Sequence, residues 1–352
     1  MQNATPATAQ RLHMLAGQPV VLHFFGNAPE SDRRAVLEAV DRRADIFDGQ
    51  RALFVGVSGR ASDRAAMEPF ATGAISLVWD FDSRVAAQYG LNVDPTPTTL
   101  LLDAGLRIVA RIVSPSAATQ IDALVATLRD HLAWARLAVS VPPVLVVPGI
   151  FEPVLCQRLI DTWENGAKTD SGFMREQAGK TVLVVDHRFK RRIDVSIADP
   201  LLRTACLERV RRRLLPAVER AFQYRATRME RYMVAAYDRG SGGWFRPHRD
   251  NTTRGTAHRR FAVTINLNAE AFEGGDLRFP EFGRQTWRAS TGGAIVFSCS
   301  LLHEVVPVTA GRRFAFLPFL YDEAAAAQRT ANNVYLDDAL KPYPGQSEGG
   351  AA

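Results

Sequence analysis

Cysteine is almost missing from this 352-residue chain. There are three, at 156, 206 and 299, with none before residue 156 and no CxxC spacing. That excludes a disulfide framework and any thiol chemistry in the first 155 residues, and it makes a reducing, cytoplasmic setting the expectation. No apolar run approaches the ~18 residues of a membrane helix. The start, MQNATPATAQ, lacks the basic flank and apolar core of a secretory signal. Lysine occurs only at 168, 180, 190 and 341, so arginine carries the positive charge. There is no internal repeat, and no nucleic-acid-binding module is visible. What remains is ordinary globular material: 47% apolar and 23% charged residues, enough chain for about two domains.

The charge is uneven. Residues 1–135 hold 12 basic and 14 acidic side chains; residues 136–352 hold 31 and 23. A basic second half suits anionic cofactors or partners, or is a solvated arginine-rich surface. The basic runs 188–192 (RFKRR) and 209–213 (RVRRR) read as exposed faces.

After a short polar tail (1–10), strands and helices alternate. VVLHFF (20–25), ALFVGVS (52–58) and SLVWD (76–80) read as buried strands. Helical spacing separates them at 31–44, in ASDRAAMEPFA and through Val85 and Tyr89. TPTTLLLD (96–103) and LRIVARI (106–112) form a hairpin, and 118–135 is an amphipathic helix. Such alternation predicts an α/β layer. VVLHFFGNAPES, the FVGVS strand, AAQYGLNVDPTPTTLLLD and the closing helix resemble the thioredoxin/peroxiredoxin superfamily over residues 11–135. The resemblance implies that Pro97 is that family's cis-proline. The turn GNAPESD has no cysteine, so the domain is expected to be redox-inactive, a scaffold or a binding module for a protein partner.

Pro142-Pro143 mark a boundary. Beyond it, helices are expected at 153–166 and 201–224, the second interrupted at Pro216. A dense set of short strands follows, at 228–238, 244–250, 259–268, 276–281, 293–300 and 312–322. Helices followed by many strands predict an α+β sandwich or barrel backed by helices. From 323 the chain reads as a C-terminal tail.

The chemistry concentrates in that strand-rich part. His248 and Asp250 are two apart on a predicted strand, so alternation puts both side chains on one face. His303 follows another apolar strand. Two imidazoles and one carboxylate leave three open positions on an octahedral ion, the ligand logic of non-haem Fe(II) oxygenases. Arg313 lies ten residues beyond His303. It shares a strand face with Ala315 and Leu317, while Arg312, Phe314 and Phe316 share the other. A charged residue followed by a small one suits a cavity that binds a carboxylate. Thr264 and Asn266 likewise oppose Val263, Ile265 and Leu267.

WFRPHRDN, FEGGDLRFPEFG and GGAIVFSCSLLHEVVPVTAGRRFAFLPF resemble the 2-oxoglutarate/Fe(II)-dependent dioxygenases, on the prolyl-4-hydroxylase-like branch, over residues 143–322. The resemblance implies a double-stranded β-helix (jelly roll) with helices on its major sheet. It implies Fe(II) on His248, Asp250 and His303, with Arg313 on the distal carboxylate of 2-oxoglutarate. Tyr237 and Asn266 would lie near the cosubstrate, O2 would be the oxidant and ascorbate a reductant. The expected outcome is hydroxylation of a C–H bond, with release of succinate and CO2. Family halogenases replace the carboxylate ligand with a small residue, so Asp250 favours hydroxylation. The favoured substrate is a peptidyl, prolyl-like side chain. The alternatives are a free amino acid or small metabolite, or a non-catalytic metal-binding interaction protein. Nucleic acid and membrane partners are not expected. Alkylated-base repair is disfavoured because Phe319 stands where that branch has a second arginine.

Among other residues, His23 reads as a core histidine and Cys299 as core. His258 and the arginines at 254, 259 and 260 read as a solvated loop, or as a clamp for an anionic substrate.

Overall fold

The computed structural model describes residues 12–71, 73–91, 96–113, 117–137, 141–241 and 243–340; the tail expected at 1–10 and the end from 345 lie outside them. The chain divides into two units, Met1–Val141 with Pro280–Gly283, and Pro142–Phe279 with Arg284–Ala352.

The first unit has five strands, β1 (Val20–Phe24), β2 (Leu53–Ser58), β3 (Ile75–Trp79), β4 (Thr98–Leu102) and β5 (Ile108–Val113). They form one sheet in the order β3-β2-β1-β4-β5, the first three parallel and the last two antiparallel. Helices α1 (Glu30–Asp41), α2 (Asp63–Met67), α3 (Arg84–Gln88) and α4 (Ala117–Leu137) connect and close it. β1 and β4 are buried along their whole length, and burial on both faces explains their largely apolar sequences. Val21, Phe54 and Leu101 pack on one side against Val36, Leu37 and Val40 of α1 and Leu124 and Leu128 of α4. Val20, Leu22, Phe24 and Leu100 pack on the other against Ala86 of α3. Gly56 is required by this packing: a Cβ there would stand 2.7 Å from the Phe25 ring. His23 is fully buried, its Nδ1 2.8 Å from Thr99 Oγ1, and burial lowers its pKa to about 3, so it is a neutral core residue. No cis peptide bond occurs among the described residues, which corrects the expectation for Pro97. The trans form is the lower-energy state of an X–Pro bond by about 0.5–1 kcal/mol, and this turn holds no thiol for a cis-proline to face.

In the second unit the strands are β6 (Leu145–Val147), β7 (Thr169–Asp170), β8 (Phe173–Gln177), β9 (Lys180–Val184), β10 (Ile193–Ser196), β11 (Arg228–Glu230), β12 (Met233–Asp238), β13 (Phe245–His248), β14 (Phe261–Asn266), β15 (Phe272–Gly274), β16 (Leu277–Arg278), β17 (Thr286–Trp287), β18 (Ala294–Ser298), β19 (His303–Val305), β20 (Val308–Phe316) and β21 (Phe319–Tyr321). The large sheet runs β11-β21-β14-β20-β12-β10-β7, with β15 on β20 and with β18 joining β14 to β6; a smaller sheet runs β13-β19-β16-β17, and β8-β9 is a separate hairpin.

Alternation on the large sheet sends Val195, Val234, Ala236, Val263, Ile265, Phe314 and Phe316 to one face. There they meet helices α5 (Pro153–Asn165), α6 (Pro200–Arg209) and α7 (Leu215–Phe222). From α5, Leu155, Cys156, Leu159 and Trp163 recur at helical spacing and face the sheet. Each apolar side chain buried this way contributes about 1.5–3 kcal/mol. The same alternation leaves the opposite face of β10, β12, β20 and β14 polar or small.

The structure corrects two element boundaries. The helix interrupted at Pro216 carries a π-turn at Val210–Leu214 between α6 and α7. Proline supplies no N–H to the carbonyl four residues back, and the wider turn absorbs the mismatch. The segment expected as a tail from 323 begins with a helix, α8 (Glu323–Ala331). Its alanine-rich sequence has high helix propensity, and the Asp322 carboxylate caps it by accepting from Ala325 N at 2.8 Å.

Candidate metal and anion site

The site is the polar inner face of the large sheet together with the rim of the smaller one. β13 and β19 pair so that His248 stands opposite His303. Asp250 lies two residues beyond the end of β13, not on it. Its backbone N–H donates to Cys299 O at 3.0 Å, which folds the chain back and turns the carboxylate toward both imidazoles. Asp250 Oδ1 is 3.6 Å from His248 Nε2, and Oδ2 is 3.3 Å from His303 Nε2. All three residues bring a ligand atom within 4.8 Å of one another.

The tautomers are fixed by their surroundings. His248 Nδ1 donates to Arg246 O at 2.8 Å, and His303 Nδ1 donates to Leu301 O at 3.0 Å. A carbonyl only accepts, so each Nδ1 carries a proton, and in the neutral imidazole each Nε2 then presents a lone pair. Burial, reinforced by His303, pushes the His248 pKa well down and keeps its imidazole neutral. Burial would raise the Asp250 pKa, but its contacts with His303 and His248 and the charge of Arg259 lower it on balance, so the carboxyl is ionised. Two neutral imidazole nitrogens and one carboxylate converging on a point are a donor set for Fe(II) or a similar divalent ion.

Arg313 stands on the other side of the cavity, on β20. It is 2% exposed. Its Nη1 donates to Gly275 O and its Nη2 to Thr264 Oγ1, both at 2.8 Å, and Nε reaches Asn266 Oδ1 at 3.3 Å. Every one of these acceptors is neutral, and among the described residues Arg313 has no ion pair. Burial lowers its pKa, and Asp276, which is itself paired with Arg288, does not offset this. Such a guanidinium fits a ligand carboxylate. Asn266 uses its Nδ2 on Ala289 O at 2.8 Å, so both of its polar atoms are engaged and it orients Arg313. Tyr237 sits opposite Arg313 in the strand register, its ring 5.2 Å from the guanidinium. Arg312 faces the helices and pairs with Asp238 and Glu164.

Arg313, Tyr237, Thr264 and the three His/Asp side chains line one cleft, with Phe319 also in its wall. Ala235 and Ala315 pair opposite each other in the sheet between Asp194 and Asn266.

Sequence reasoning missed part of this wall. RFKRR (188–192) is an exposed face only in part: Arg188 is exposed, but Lys190 and Arg192 are 3% and 5% exposed. Lys190, Arg192 and Asp194 alternate, and that period of two was the available signal. Arg192 binds Asp194 at 2.7 Å and Ser171 Oγ at 2.8 Å. The loop 251–260 needs a second correction. His258 is 1% exposed, with Nε2 3.2 Å from Glu230. Arg259 and Arg329 also pair with Glu230, at 2.8 and 2.9 Å. Arg254 pairs with Glu176, and Arg260 donates to Ala257 O and Gln328 Oε1. The buried Glu230 carboxylate gathers His258 and Arg259 inward, so these two are not a clamp at the rim, whereas Arg254 is exposed.

The chain is 30% identical over 110 residues to a PKHD-type hydroxylase of Nitrosomonas eutropha, covering 28% of this chain and 48% of that protein. It thus spans about half the length of that relative. Among solved structures, a Trichoplax adhaerens prolyl hydroxylase is similar at 19% identity (57% of this chain, 95% of that one, TM-score 0.41). The Mycobacterium tuberculosis peroxidoxin BcpB is similar at 26% identity (34% of this chain, 85% of that one, TM-score 0.31). The 2OG-Fe(II) oxygenase superfamily model matches residues 232–321, which include the two histidines, Asp250 and Arg313, and so the chain carries a 2OG-Fe(II) oxygenase domain there.

Proposed function

We propose that this protein is an Fe(II)- and 2-oxoglutarate-dependent dioxygenase that hydroxylates an unactivated C–H bond. In this reading residues 143–322 form the oxygenase domain, a double-stranded β-helix. Residues 11–135 form a redox-inactive thioredoxin-like domain that serves as scaffold or docks a partner. The observation that carries the proposal is the presence of two features in one cleft: three converging metal donors, and a buried arginine whose hydrogen-bond acceptors are all neutral.

His248, Asp250 and His303 would hold the iron, with both Nδ1–H groups locked on backbone carbonyls. Arg313 would bind the distal carboxylate of 2-oxoglutarate, oriented by Thr264 and Asn266, with Tyr237 beside it. Iron bound there supplies oxidation of 2-oxoglutarate by O2 to succinate and CO2, coupled to hydroxylation of the substrate. Phe245 and Phe297, with Leu277, line the cleft and exclude water from it. Ascorbate would serve as a reductant that keeps the iron ferrous.

For the substrate we propose a peptidyl, prolyl-like side chain, a reading supported by the sequence resemblance to the prolyl-4-hydroxylase-like branch. The loop 251–260 does not add to that support, because its arginines are paired internally. The test is succinate release with Fe(II) and 2-oxoglutarate across a panel of peptides, proteins and free amino acids. Release that requires iron and rises with one substrate class supports the proposal. Absence of iron-dependent succinate release, with and without candidate substrates, overturns it.

A further inference from the structure

We propose that a second cationic position in the cleft, formed by Arg192 and Arg231, receives a carboxylate of the substrate; this rests on the oxygenase reading above. Three inward cations, Lys190, Arg192 and Arg231, are grouped around one carboxylate, Asp194. Arg192 holds Asp194 at 2.7 Å, and Arg231 is 3.9 Å from the same oxygen. Lys190 donates to Gly172 O at 2.6 Å and has no ion pair among the described residues. Even with Lys190 counted as neutral, the two arginines outnumber Asp194 by one. Bound Fe(II) and doubly charged 2-oxoglutarate cancel one another, and Asp250 cancels Arg313. One positive charge therefore remains in the wall after metal and cosubstrate are seated.

That charge is buried, donor-rich and accessible from the cleft. Arg192 Nε has no partner, and its Nη1 makes only a long contact, 3.4 Å, to Tyr237 OH. Arg231 donates from Nη2 to Met233 Sδ at 2.9 Å, a weak acceptor, and its side chain is 27% exposed. Arg231 also interrupts the strand: its φ of 70° lies in the left-handed region, which is unfavourable for a non-glycine residue. The break separates β11 from β12 and places Arg231 in the cleft lining beside Phe319 and Arg192. A buried cation without its counter-charge is unfavourable, and an incoming anion relieves it. One excess charge matches a carboxylate better than a phosphate monoester, which carries about −1.5 to −2.

The position is distinct from the cosubstrate anchor. Tyr237 is opposite Arg313, and Ile193 is opposite Ala236, so the register places Arg192 next to Tyr237 on the far side from β20. Two strand spacings, about 10 Å, separate the backbones of the two arginines. Each is fixed by its own neighbours: Thr264, Asn266 and Gly275 for one, Asp194 and Ser171 for the other. The carboxylate could be that of a free acid or of an acidic residue in a polypeptide, and the chemistry of recognition is shared.

The test is a binding titration of the full chain loaded with Fe(II) and 2-oxoglutarate under exclusion of oxygen, so that the Arg313 position is filled and no turnover occurs. The probes are two matched pairs: N-acetylproline against N-acetylprolinamide, and a blocked pentapeptide containing Pro-Asp against its Pro-Asn counterpart. The acidic member of at least one pair should bind about tenfold more tightly, the effect of one charge-assisted hydrogen bond. The pair that discriminates identifies the source of the carboxylate. In Arg231→Gln the advantage should fall to within about twofold, and Arg231→Lys should keep part of it. Equal binding of acid and amide, failure of both acids to bind, or an advantage that survives in Arg231→Gln overturns the proposal. Discrimination that persists while iron-dependent succinate release is absent would overturn the oxygenase reading alone.

Discussion

Arg313 and His248 are each committed by one local feature: a guanidinium whose acceptors are all neutral, and an imidazole whose Nδ1 is tied to a carbonyl. Their replacement should therefore have separable effects. His248→Ala should abolish stoichiometric Fe(II) binding; unchanged iron content in that variant would remove the histidine from the metal site. Arg313→Ala should leave iron binding intact and raise the 2-oxoglutarate concentration required by roughly 10- to 100-fold, since a charge-assisted hydrogen bond contributes about 1.5–3 kcal/mol. A titration of turnover against 2-oxoglutarate reads this directly, and an unaltered requirement would move the anchor elsewhere. Arg312 would then be a poor candidate, because it faces the helices.

Elements carry the site through two kinds of packing. On the helix side, Leu159 of α5 is fully buried among residues of the large sheet. Leu159→Ala should cost about 2–5 kcal/mol of stability in a denaturant titration, the range for a core leucine. Near the start of β11–β12, Glu230 is the buried hub for Arg259, Arg329 and His258. Burial alone would raise its pKa, but Arg259, His258 and Arg329 hold it below the ordinary value of 4.5. A depressed folded pKa means that the pairing stabilises the fold above about pH 4.5 and is lost as pH falls below it. Glu230→Gln should lose about 3–5 kcal/mol at neutral pH, because it leaves buried arginines without a carboxylate. The variant's stability should also fall less steeply between pH 5 and the acid limit than that of the native chain. Equal acid sensitivity would assign the acid loss to other carboxylates.

These elements also show what could be read in advance. The triad and Arg313 were legible because metal and carboxylate chemistry restricts residue type and spacing so tightly. The polar face of Thr264 and Asn266 was legible because strand alternation is strict. Lys190 and Arg192 were not, because a run of basic residues between hydrophobic stretches has the composition of a solvated loop. Only pairing of β10 with β12 brings that run inside. His258 was misread for the same reason: its partner, Glu230, is 28 residues away. The positive φ of Arg231, which divides a predicted single strand into β11 and β12, has no compositional signature.

At the scale of the whole molecule, the proposed chemistry belongs to one unit and not to the other. The five-stranded sheet has no cysteine on any strand or turn. The three cysteines of the second unit are buried, and burial pushes Cys156 up to about 11, Cys206 up to about 12 and Cys299 well above its usual value. Few thiolates exist at neutral pH under those conditions. The full chain should therefore show no thiol-dependent peroxide consumption in a coupled assay, and measurable turnover would return redox chemistry to the account. No described helix is long and apolar enough to cross a membrane.

The central claim is that the cleft divides O2 between a cosubstrate and a substrate carbon. Labelled dioxygen tests it most directly. Under 18O2, with Fe(II), 2-oxoglutarate and an accepted substrate, mass spectrometry should find one labelled oxygen in succinate and a labelled hydroxyl in the product. Succinate formed without label, or hydroxylation without loss of CO2 from 2-oxoglutarate, would contradict the account.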